Sequence, residues 1–86
     1  MPVIPVSDAP VHVLPHAQFT SLVTPRRGAR ETSVWRVVLN AGAPATLHSL
    51  TREEIFVVLR GCARVAWEAE SQLAAAGDAI LVPAGV

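Results

Sequence analysis

The chain has 86 residues, a formal net charge of zero and 51% hydrophobic residues. That length sets a single small domain of marginal stability, and the apolar share excludes a disordered chain. The charge balance excludes an electrostatic footprint for nucleic acid or an anionic membrane.

In chain order, residues 1–10 carry Pro2, Pro5 and Pro10 and read as an extended N-terminal arm. Residues 11–14 and 19–23 are short strand candidates. Residues 25–31, PRRGARE, read as a solvated polar loop. The other reading makes Arg26, Arg27 and Arg30 an anion-binding rim. Residues 32–40, TSVWRVVLN, form a strong strand: Trp35, Val37 and Leu39 point to one face, Val34, Arg36 and Val38 to the other. Residues 40–44 turn the chain.

The β-branched and aromatic run 55–59 is a further strand, broken by Gly61. Ala63, Val65 and Trp67 alternate with Arg64, Ala66 and Glu68, as in a half-buried strand. Glu70 and Ser71 are expected to turn the chain, and residues 73–76 favour helix by propensity until Gly77 and Asp78 stop it. Residues 79–82 form the last strand, ended by Pro83, Ala84 and Gly85. Short strands at regular spacing predict an all-β sandwich or barrel.

One segment carries the chemistry. GAPATLHSLTREEIFVVLRG, residues 42–61, has the spacing G-x5-H-x-L-x3-E-x6-G through Gly42, His48, Leu50, Glu54 and Gly61. Further on, GDAILVPAG supplies Gly77, Pro83 and Gly85. Together these stretches resemble the two conserved motifs of the cupin family. The resemblance implies an all-β, cupin-like jelly-roll barrel or sandwich over residues 11–86, with residues 1–10 as an arm outside it.

It also implies a ligand or metal inside the barrel. On an extended segment His48 and position 50 face the same side, and Glu54, Phe56 and Val58 share a face of the next strand. If that face is interior, His48 and Glu54 converge as metal ligands, while Leu50, Phe56 and Val58 line an apolar pocket. The family's site uses a second histidine where this chain has Leu50, and another in the second motif at a position past Val86. A catalytic metal site needs about three protein ligands and an open position. The expected cofactor is therefore a weakly held divalent ion (iron, manganese, zinc or nickel) or none.

Two functions follow from the resemblance. One is a domain with an apolar pocket for a small organic ligand and an incomplete metal site. The other is a metal-dependent enzyme, a dioxygenase or isomerase, whose remaining ligands lie beyond Val86 or on a partner chain. The fold is expected to be incomplete at its C-terminus, through a fragmentary sequence, a partner that supplies strands, or an open degenerate barrel. The resemblance further implies a homodimer, to which the arm could contribute by exchange.

The remaining residues read more plainly. His12 and His16 are exposed or edge histidines, because Pro15 between them excludes a shared helix. Cys62 is read as a small buried hydrophobe, and Trp35 and Trp67 as core or interface aromatics. The lone cysteine excludes an intrachain disulfide and fits a reduced, cytoplasmic setting. The N-terminus lacks the pattern of a signal peptide, and no apolar run approaches the roughly 20 residues of a membrane span. The absence of lysine argues against Schiff-base chemistry.

Overall fold

The computed structural model describes residues 1–43 and 51–85. The chain divides into two compact units, Met1–Ala45 and Thr46–Val86. Among the described residues the regular elements are β-strands and two short 3₁₀ turns, and no helix is long and apolar enough to cross a membrane. The all-β expectation holds. The strands lie in three small antiparallel sheets, and no pairing among the described residues closes a barrel.

The first unit is a meander of β1 (Val11–Leu14), β2 (Ala17–Val23) and β3 (Val34–Leu39), with β2 central. Pro15 and His16 alone separate β1 from β2, so Leu14 faces Ala17 directly. Strand β2 starts at Ala17, ahead of the expected residue 19, because the short turn leaves these residues in register for pairing. On one face the register collects His12, Leu14, Phe19, Trp35, Val37 and Leu39. Thr20 and Ser21, in the middle of β2, are only 4% and 5% exposed. The arm differs from a plain extended segment: Val6–Asp8 forms a 3₁₀ turn, and the Ser21 amide donates to the Pro10 carbonyl at 3.0 Å.

The second unit nests one hairpin inside another. The outer pair is β4 (Glu54–Val57) with β7 (Ala79–Val82), and the inner pair is β5 (Cys62–Trp67) with β6 (Glu70–Ala75). The β4–β7 ladder runs on through Val58, whose amide donates to Asp78 O at 3.0 Å and whose carbonyl accepts from Gly77 N at 2.7 Å. Ala63, Val65 and Trp67 take the better covered face of β5, opposite the buried Ala74, as the alternation predicts.

Two local expectations fail here. The turn falls at Glu68 and Ala69, and Glu70 and Ser71 belong to β6. Residues 73–75 are strand, not helix, because each pairs with a residue of β5. Helix propensity is worth only tenths of a kcal/mol per residue, and a full ladder overrides it. The price appears at Glu68, which takes φ 51°, the left-handed region that non-glycine residues enter at a cost of about 1 kcal/mol.

Gly77 sits at φ 95°, where the chain turns from β6 into β7. Nothing lies within 4 Å of a Cβ built there, so the backbone angle is the constraint, not space. A Gly77→Ala variant is expected to lose roughly 1–2 kcal/mol, read as a lower urea midpoint. Glu68→Gly, at the positive-φ turn between β5 and β6, is expected to hold or raise the midpoint, since relief of strain offsets the added backbone entropy.

Candidate functional site

The register of β4 on β7 decides which side chains of the motif lie together. Glu54 faces Val82, Phe56 faces Ile80, and Val58 follows two residues on, beside Asp78. Cross-strand partners project to the same face, so Glu54, Phe56, Val58, Ile80 and Val82 form one surface. The opposite surface carries Ile55, Val57, Ala79 and Leu81. The first is better covered: Phe56 is 41% exposed against 65% for Ile55, and Val58, Ile80 and Val82 are half-buried.

Glu54 is exposed at the start of β4, and Glu53 precedes the strand. His48 and Leu50 lie outside the described residues. Among the described residues no three His, Cys, Asp or Glu side chains come together as a metal-binding group. Among the described residues, Phe56, Val58, Ile80 and Val82 share the face of Glu54 and offer no hard donor. The motif glycines Gly42, Gly61, Gly77 and Gly85 all take positive φ, and Pro83 directly follows β7.

A second site, in the first unit, departs from the expected solvated loop. Pro25–Arg27 forms a 3₁₀ turn with proline at its start, which presets the backbone angle for the turn. The turn sends the half-buried Arg27 back across β2. Its Nη1 donates to the carbonyls of Ser21 at 2.7 Å and Leu22 at 2.8 Å, and its Nη2 donates to Pro5 O at 2.6 Å. The β2–β3 register slips at this point, with Ser21 opposite Trp35 but Val23 opposite Val34. A bulge leaves backbone groups outside the ladder, and the guanidinium satisfies the two carbonyls beside it. Charge-assisted bonds of this kind are the stronger class. Sequence reading gave no sign of Arg27 as a clamp, because its partners are backbone carbonyls exposed by a bulge.

Beside the clamp lies an open cleft of about 480 Å³, lined by Pro10, His12, Ser21, Thr24, Pro25, Arg26, Arg27 and Trp35. The His12 and Trp35 rings meet at a tilt, with centroids 6.4 Å apart. His12 and His16 are exposed, as expected. Trp35 is 48% exposed and no core residue, and Cys62 is exposed, which corrects its reading as a buried hydrophobe. In β5 the covered face belongs to Ala63, Val65 and Trp67, so position 62 necessarily faces outward.

Set against known proteins, the chain matches no family model, no curated protein and no solved structure.

Two outcomes follow from this geometry. Arg27→Gln, which abandons three carbonyls, is expected to cost roughly 1–3 kcal/mol of unfolding free energy, near the lower end because the Pro5 bond is exposed. Amide exchange at residues 21–23 should accelerate in the same variant. The Cys62 thiol is expected to react fully with a disulfide reagent in the native protein without denaturant, and a thiol titrating only in urea would contradict its placement.

Proposed function

We propose that the chain is a cupin-like domain that binds a small organic molecule, and that the jelly roll is the form its strands take. The ligand lies against Leu50, Phe56 and Val58. The metal site, limited to His48 and Glu54, is incomplete. The observation that carries this reading is the β4–β7 register, which groups Glu54, Phe56, Val58, Ile80 and Val82 on the less exposed face. The spacing of Gly42, His48, Glu54 and Gly61, then Gly77, Pro83 and Gly85, supports the same fold. Leu50 argues against a complete metal centre, because a hydrocarbon side chain coordinates nothing.

The same reading includes a second copy of the chain. Ile55, Val57 and Leu81, on the opposite face of the β4–β7 pair, are exposed apolar side chains of the kind that homodimer interfaces cover. A reduced, cytoplasmic setting completes it, in keeping with the single Cys62.

Metal analysis of protein purified without chelator or affinity tag tests the site. The expected result is far less than one ion per chain, with loss on simple dialysis. Stoichiometric iron, manganese, zinc or nickel that survives dialysis and disappears in His48→Ala would overturn the reading and favour the metal-dependent enzyme. For the dimer, sedimentation equilibrium should give twice the chain mass of 9.1 kDa. An Ile55→Arg substitution should return it to the monomer.

A further inference from the structure

We propose that the cleft between β1, the 3₁₀ turn and β3 is a binding site for a small ring-bearing carboxylate. Its carboxylate is held at Arg26 and its ring lies against Trp35. The cleft is lined by residues of the first unit alone, and the proposal does not rest on the cupin reading.

Charge supplies the first argument. Among the described residues Arg26, Arg27 and His12 line the cleft, and no carboxylate does. Arg27 donates to three neutral carbonyls, so its fixed charge is left without an anion in those bonds. A second guanidinium directly precedes it in the sequence at Arg26, on an exposed side chain. Positive charge on two arginines that line one cleft attracts an anion, and the planar fork of arginine matches a carboxylate with two parallel hydrogen bonds.

Shape and surface supply the second. The volume of about 480 Å³ falls within the range of small-ligand clefts. Pro10, Pro25 and Trp35 give it apolar walls, and Ser21 and Thr24 add hydroxyl groups. Trp35 is about half exposed, Val37 and Leu39 on the same face are exposed as well, and its ring meets that of His12 at a tilt. An inorganic anion would leave that aromatic corner uncovered, whereas an aromatic acid covers it by offset or edge-on ring contact. The clamp matters to binding as well, since the three Arg27 bonds tie down the turn that carries Arg26.

Proton–nitrogen NMR of the full chain provides the test, with benzoate as probe, benzamide as its uncharged isostere and acetate as an anion without a ring. The two tryptophans give separate indole signals, assigned by a Trp67→Phe variant. Benzoate is expected to shift the Trp35 indole saturably at millimolar concentration or below and to leave Trp67 unmoved. Benzamide, acetate and the Arg26→Gln variant should each weaken binding about tenfold, and added salt should weaken benzoate but not benzamide. The backbone fingerprint of Arg26→Gln confirms that the variant is folded. The proposal is overturned by an unsaturable or absent Trp35 shift, by equal affinity for benzamide, or by unchanged binding in Arg26→Gln.

Discussion

Antiparallel backbone pairing between segments close in sequence is what each unit rests on. In the first unit a two-residue turn joins β1 to β2, and a 3₁₀ turn with its loop joins β2 to β3. In the second, the β5–β6 hairpin lies in the chain between the paired β4 and β7. Local pairing of this kind forms quickly and needs little loop-closure entropy. Each ladder bond adds only about 1 kcal/mol net, however, and apolar burial usually supplies the larger share. Among the described residues Ala74 is the buried hydrophobic one, and large side chains such as Leu39, Ile55 and Leu81 are exposed. The balance therefore tips on whatever covers those side chains.

That balance gives individual polar contacts unusual weight. Arg27 satisfies two β2 carbonyls beside the bulge, and it ties the arm to the unit through Pro5. Asp78 acts in the same way in the second unit: its Oδ2 accepts from the Ala75 amide at 2.8 Å, and its own amide donates to the Ala75 carbonyl at 2.9 Å. This reciprocal pair closes the turn that leads from the inner hairpin back to the outer one. In both places a side chain completes backbone bonding where the sheet cannot, which is the general requirement for irregular backbone near a ladder.

The sequence made the strands legible wherever alternation was strong. Trp35, Val37 and Leu39 share a face as period two requires, and so do Ala63, Val65 and Trp67. It failed where the local signal was weak or pointed elsewhere. ESQLAA carries good helix formers and little β-branching, so only its partner strand makes it extended. Glu68 lacks the glycine or asparagine that marks a tight turn, which moved the expected turn two residues along. The facing of Glu54, Phe56 and Val58 was legible because it follows from alternation alone. The cleft at Trp35 was not, because it depends on Pro10, Thr24 and Arg26, residues far apart in the sequence that a bulge and a 3₁₀ turn bring together.

The two sites differ in what fixes them. On the β4–β7 surface a strand register sets the side chains, and a one-residue slip would send Glu54 and Phe56 to the other face. Val58 and Asp78 oppose such a slip, because their bonds extend the ladder into a turn that only one register can reach. In the cleft the side chains come from four different segments, and their arrangement depends on the Arg27 bonds more than on any register. A charge placed by neutral carbonyls keeps its field for a ligand, whereas a charge placed by a carboxylate would be largely cancelled. The device that repairs the bulge in β2 thus also leaves the positive charge of Arg27 beside an exposed tryptophan, next in sequence to the Arg26 proposed to hold the carboxylate.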